Sequence, residues 1–225
     1  VNNVVMDFRQ ILINLSNTDN NVRLQAEKLL IEAQQQNLPV FLVSLVTELA
    51  NPNNPGPLRQ QAGIALKNTL SHSHSTQLNQ KLAQQFVSLD EQTKLKIRQA
   101  VLHTLQAPDK EARRTAAHVL AKIASVELPT NQWLDVIPSL LQNILTPQSE
   151  FGFEASLIAL GYLCEECKAP QLQAQSNQIL TAVIRGMRAD QNNIDIKLAA
   201  TEALLNSLEF IHANFETAKE RDYIM

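Results

Sequence analysis

Glycine is almost missing from this chain, with five in 225 residues. With it go the Gly-containing pairs that close tight β-hairpins, and no convincing alternating strand stands beside them. Cysteine is nearly absent too. Cys164 and Cys167 make no disulfide framework, which fits a reducing cytosolic or nuclear setting. There is no basic excess, since 19 Lys and Arg face 22 Asp and Glu for a net charge of −3. A nucleic-acid partner is therefore not expected. No apolar run is long enough to span a membrane and no signal-peptide pattern occurs, so no membrane role is expected. The start at Val1 and the end at Arg221-Asp-Tyr-Ile-Met225 read as the cut ends of a fragment of something longer.

What is present favours helix. Apolar residues make up 44% of the chain, and Leu, Ala, Gln, Glu and Lys dominate. Helical spacing recurs along nearly the whole sequence, first as a stripe of Val4, Val5, Phe8, Ile11, Leu12 and Leu15, then over Val22–Ala33, Leu38–Ala50 and Leu58–Leu70. Further helices are predicted over Gln77–Leu89, Glu91–Leu105, Asp109–Val126, Asn131–Leu145, Glu150–Glu165, Pro170–Arg188 and Ile194–Phe210, and from Phe215 onward. Pro39, Pro129 and Pro170 sit where helices begin, a position that needs no N–H donor, whereas Pro138 should bend its helix or delay its start.

Every second helix repeats the same pattern. Gapless copies start at residues 18, 54, 108, 149 and 192, at intervals of 36, 54, 41 and 43 residues. One small-residue column holds Ala26, Ala62, Ala116 and Ala200, broken by Leu157; another column holds Leu30, Leu66, Leu120 and Leu204, broken by Gly161. A polar column holds Arg23, Arg59, Arg113, Glu154 and Lys197. The small residue lets a partner helix approach, and the apolar columns bury against the next copy. A period near 40 with two helices per unit is that of HEAT or armadillo repeats. The long interval contains one extra helix near residues 77–89. The expected fold is all-α: a right-handed α-solenoid of antiparallel helix pairs, continuous over residues 1–225 without separate domains.

Enzyme chemistry finds no foothold. There is no G-x-S-x-G, no phosphate-binding Gly-rich loop and no H-E-x-x-H. His72 and His74 lie in the Ser-rich stretch Ser71-His-Ser-His-Ser75, where solvation outweighs metal binding, and His103 and His118 fall within helices and read as packing. Cys164-Glu-Glu-Cys167 has C-x-x-C spacing but neither a second pair nor a βαβ setting, so packing is favoured over zinc or redox use. No catalytic residue, metal or cofactor is expected.

Several strings resemble the N-terminal part of the importin-β (karyopherin-β) family of nuclear import receptors. They are Asn37–Val43 (NLPVFLV), Leu66–Leu70 (LKNTL), Val101–Leu105 (VLHTL), Asn131–Trp133 (NQW), Ser176–Ala182 (SNQILTA) and Lys197–Phe210 (KLAATEALLNSLEF). A generic HEAT protein shares the Ala and Leu columns but not such runs of exposed polar residues. The weakest stretch is Gln106–Ala124, which is Arg-rich and follows the general repeat more than the family string.

The resemblance implies a superhelix of which this chain covers the first five repeats and the first helix of the sixth. It implies a receptor found in cytoplasm, nucleus and the nuclear envelope at the pore. Ran in its GTP form would bind on inner second helices through Lys67 and Asn68, with Lys28 one repeat earlier. Phe-Gly nucleoporin repeats would bind on outer first helices, between a wall of Leu180, Thr181 and Ile184 and a wall of Glu220, Tyr223 and Ile224. Importin-α or cargo would bind only through later repeats. Periodicity alone leaves open a static alternative, the HEAT scaffold subunit of a protein phosphatase-type complex. The Lys197–Phe210 string and the extra helix favour the receptor.

Overall fold

The computed structural model describes residues 7–71, 76–167 and 170–211, and among them are twelve α-helices and no strand. They are α1 (Phe8–Asn14), α2 (Asn20–Gln36), α3 (Leu38–Ala50), α4 (Gly56–Leu70), α5 (Thr76–Val87), α6 (Glu91–Thr104), α7 (Lys110–Glu127), α8 (Val136–Leu145), α9 (Glu150–Glu166), α10 (Pro170–Ala174), α11 (Ser176–Met187) and α12 (Ile194–Ile211). Short polar side chains set many of the starts. Asp19 accepts from Asn21 N at 2.8 Å, Ser149 from Gly152 N at 3.0 Å, and Asp109 from Ala112 N at 2.7 Å. Asn37 ends α2 and begins α3, its side chain accepting from Val40 N at 3.1 Å.

The chain clusters into two compact units. The first holds α1–α6 with Asp109–Ala116, and the second holds Leu105–Pro108 with everything from Ala117 on. In the first unit α1 packs on α2 and α3 on α4, while α3 also meets α6 and the extra helix α5 rests on α4. In the second, α8 pairs with α9 and α11 with α12, the first helices α8 and α11 touch, and so do the second helices α9 and α12. That is the two-layer packing of stacked helix pairs.

The repeat columns carry this packing. Ala26, Ala62, Ala116 and Ala200 are all at most 1% exposed. Leu66 and Leu120 are fully buried, whereas Leu30 and Leu204 are half-buried. The polar column turns inward as well, with Arg59, Arg113 and Glu154 buried. Arg59 Nε donates to Leu49 O at 2.7 Å, and Arg23 Nη1 donates to Asn17 O at 2.9 Å. Each guanidinium thus serves a carbonyl at or just past the end of the preceding helix, where no intrahelical partner exists. Burial pushes the Arg59 guanidinium below its ordinary pKa, and the Asp109 carboxylate opposes that shift.

Two local departures from the expected helices have clear geometry. The helix expected from Asn131 starts at Val136, because a 3₁₀ turn (Leu128–Thr130) leads into Asn131 and Trp133, both in the left-handed region at φ 58° and 50°. Pro138 then lies in the first turn of α8, where its missing N–H costs nothing. The helix expected over Pro170–Arg188 is two helices, interrupted at Gln175 (φ −111°, ψ 15°).

Candidate partner-binding surfaces

In the first unit, Lys28, Lys67 and Asn68, the residues that the sequence resemblance assigns to Ran binding, lie on α2 and α4. Lys28 is exposed on α2 and pairs with Glu32 one turn on, at 3.9 Å. Lys67 stands half-buried in the last turn of α4, where a cation complements the carbonyl end of the helix. Asn68 beside it is exposed and lines a concavity of about 340 Å³ between α2 and α4. The floor of that concavity is apolar. Leu15, Leu30 and Phe41 contribute to it, and Ile31 and Ile64 remain 54% and 39% exposed there. Phe41 also meets Phe8 edge to face, with ring centroids 5.9 Å apart and planes at 87°. Neither isoleucine is marked by the repeat columns of the sequence. The available signal was an apolar side chain at a position outside the buried Ala and Leu columns.

In the second unit, α11 carries Leu180, Thr181 and Ile184, which the sequence resemblance assigns to Phe-Gly binding. Leu180 is 4% exposed, Ile184 is half-buried, and Thr181 is exposed with its Oγ1 donating to Asn177 O at 2.9 Å. Glu220, Tyr223 and Ile224 lie outside the described residues. A larger concavity, about 580 Å³, sits between the α8–α9 and α11–α12 turns. Arg185, Arg188 and Asp190 line it from the α11–α12 side and Glu150 from the α8–α9 side, and Arg188 grips Asp190 through two hydrogen bonds of 3.0 and 3.1 Å. Among the described residues, none of those expected to bind a partner lines it.

The remaining chemical candidates are structural in their surroundings. Cys164 and Cys167 are buried free thiols at the end of α9, and burial, then the neighbouring Cys167, pushes the Cys164 thiol up to about 12. The His118 ring stacks on Tyr162 with centroids 3.8 Å apart and planes inclined 34°. His72, His74 and His212 lie outside the described residues. Among the described residues no group of three His, Cys, Asp or Glu side chains is arranged to hold a metal, and no helix is long and apolar enough to cross a membrane.

Helix pairs joined through a buried alanine column and layered first helix on first, second on second, define the class: an all-α solenoid of HEAT repeats. Residues 26–107 match the family described as the Importin-beta N-terminal domain. Importin subunit beta-1 of Arabidopsis thaliana is 44% identical over 99% of this chain and 25% of its own length. A crystal structure of importin beta superposes with a TM-score of 0.91 at 37% identity, over 97% of this chain and 25% of that one. Two related structures are complexes: Kap95 with Nup1 (TM-score 0.86, 32% identity, 97% and 26% coverage), and Kap95p with RanGDP, whose switch loops it brings to the GTP-bound conformation (TM-score 0.84, 30% identity, 96% and 24% coverage). The chain belongs to the importin-β family, and it spans about a quarter of the length of the relatives it matches.

Proposed function

We propose that this chain is a nuclear-transport-receptor segment that binds GTP-loaded Ran through its second helices and Phe-Gly nucleoporin repeats through its first helices. It acts by binding and release, not by catalysis, in the cytoplasm, the nucleus and the pores of the nuclear envelope. Importin-α or cargo engages repeats beyond this chain. The observation that carries the reading is Leu66-Lys-Asn-Thr-Leu70 on the open last turn of α4: Leu66, Thr69 and Leu70 are buried, while Asn68 faces out beside half-buried Lys67. Packing accounts for the inward residues and leaves the outward pair for a partner. The relatives solved with Ran and with Nup1 support the two partner classes.

A crossed binding experiment tests the proposal. Lys67→Glu with Asn68→Ala should weaken GTP–Ran binding and spare Phe-Gly binding, because reversing an interface charge costs up to a few kcal/mol when it is desolvated. Ile184→Asp should do the reverse. The single-motif Phe-Gly affinity should be weak, since one phenyl ring contributes only about 1.5–3 kcal/mol before ordering costs, so an immobilised multi-motif repeat is the suitable ligand. Unchanged Ran affinity in the first variant, or unchanged Phe-Gly binding in the second, places that surface elsewhere.

A further inference from the structure

The concavity between the α8–α9 and α11–α12 turns holds about 580 Å³. That is well inside the range of about 300–1,000 Å³ common to ligand sites. Its residues are other than those assigned to Ran and to Phe-Gly repeats. The lining is mostly polar. Phe153, 5% exposed, and Pro147, exposed at the turn, are its apolar members. Small organic ligands select mainly apolar pockets, and a lone inorganic anion would leave most of this volume to water. A space of this size and polarity suits a short length of polypeptide.

Four charged side chains line the concavity, and three of them are engaged. Arg188 donates to both carboxylate oxygens of Asp190 at 3.0 and 3.1 Å. Glu150 Oε2 accepts from Asn193 Nδ2 at 3.0 Å. Arg185 stands exposed in the last turn of α11 and makes no hydrogen bond or ion pair among the described residues. A guanidinium presents five N–H donors in a planar fork that matches a carboxylate. Arg188 and Asp190 show that fork filled, three residues from where it is empty. The rim also offers amides. Gln191 Oε1 accepts from Asn193 N at 2.9 Å, which leaves its NH₂ group to donate, and Gln148 makes no hydrogen bond among the described residues. Such amides serve the N–H and C=O groups of an extended backbone.

We propose that this concavity docks an extended segment of a partner protein that carries one acidic side chain among neutral ones. The carboxylate pairs with Arg185, and the neutral residues lie toward Glu150. Charge complementarity makes both choices. Arg185 is the cation left without a counter-charge, so a basic segment is repelled there. Glu150 and Asp190 place negative charge on the other side, so a run of acids is repelled as well. The apolar patch of Pro147 and Phe153 receives a neutral side chain beside the acid.

The test is a nuclear magnetic resonance titration of the full chain, following the Arg185 Nε–H signal. The probes are the capped peptide Ser-Leu-Glu-Ser-Asn-Ser, its twin with Gln in place of Glu, a capped hexaglutamate, and inorganic phosphate. The single-acid peptide should shift the Arg185 signal and bind about ten-fold or more tightly than its Gln twin and than hexaglutamate. Arg185→Gln should remove that preference, and Glu150→Gln should raise the affinity for hexaglutamate. Melting temperature and binding to an immobilised Phe-Gly repeat should be unchanged in both variants. Equal binding of the Glu and Gln peptides, no binding of either, or a preference that survives Arg185→Gln overturns the proposal. Displacement of the peptide by an equal concentration of phosphate also overturns it, because the site would then be one for small anions.

Discussion

Gly161 of α9 lies directly against Ala203 of α12: a Cβ built on Gly161 would sit 3.1 Å from the Ala203 Cα. The same glycine's carbonyl accepts from Asn206 Nδ2 at 3.3 Å. Two second helices thus approach closely at one point, and any side chain on the residue that interrupts the leucine column would have to push the Ala203 backbone back.

Restoring the column with Gly161→Leu should therefore destabilise the chain, although leucine is the better helix former. Overpacking typically costs about 1–3 kcal/mol and can cost more, against a helix-propensity gain of under about 1 kcal/mol. Thermal melting checks it. A melting temperature equal to or above wild type would mean that α9 and α12 separate at little cost.

Ala62→Asp should unfold the second repeat. Ala62 is fully buried, and an unpaired carboxylate there costs several kcal/mol. Because stability in stacked repeats is mostly nearest-neighbour, damage should be greatest in the first unit. Hydrogen exchange resolved by segment should show α3 and α4 losing protection before α9 and α12; uniform loss would contradict a nearest-neighbour stack.

The thiols should be inert in the folded chain. With its pKa pushed up to about 12, Cys164 holds almost no thiolate at pH 8, and both thiols are at most 4% exposed. Maleimide should label neither residue in native buffer and both in denaturant. Native labelling at the rate of a free thiol would show that the end of α9 opens readily.

A pH dependence follows from α6. Glu91 Oε1 accepts from Arg98 Nη1 at 2.6 Å and Glu91 Oε2 lies 3.2 Å from Lys94 Nζ, both cations being nearly buried. Partial burial raises the Glu91 pKa, but the hydrogen bonds and charges of Lys94 and Arg98 outweigh it and hold the carboxyl below its ordinary value. A depressed folded-state pKa contributes stability above the ordinary glutamate value of about 4.3 and loses it as pH falls through the folded value. Glu91→Gln should lower stability at pH 7 by on the order of 1 kcal/mol, since the carboxylate itself is largely exposed. The gap to wild type should close in acid. A gap that persists at pH 2 would assign the effect to packing.

Much of this architecture was legible from period alone. The α3 helix runs from Leu38 to Ala50, as its apolar spacing and Pro39 indicate, and the alanine column is the buried seam it predicts. The missed details are matters of local backbone and of side-chain direction. A left-handed Trp133 follows from no propensity, since its burial at 6% exposure compensates for an unfavourable backbone angle. The break at Gln175 interrupts a stretch whose apolar spacing continues across it. At the surfaces, the residues drawn from resemblance are placed but not all exposed: Leu180 lies inside the packing of α11 while Thr181 beside it faces out. The apolar groove was hidden because periodicity marks which residues can be buried, not which are left uncovered.

Five of the long-range side-chain hydrogen bonds among the described residues share one property. Gln61 to Ser16, Lys122 to Glu166, Ser149 to Gln106, Asn193 to Glu150 and Asn206 to Gly161 span 45, 44, 43, 43 and 45 residues. Each closes a loop of one repeat and no more. The entropy needed to form the second such bond is the same as for the first, so no single region must assemble before the others. Folding can begin at any helix pair and spread in either direction, and refolding rates should depend little on how many repeats follow along the chain.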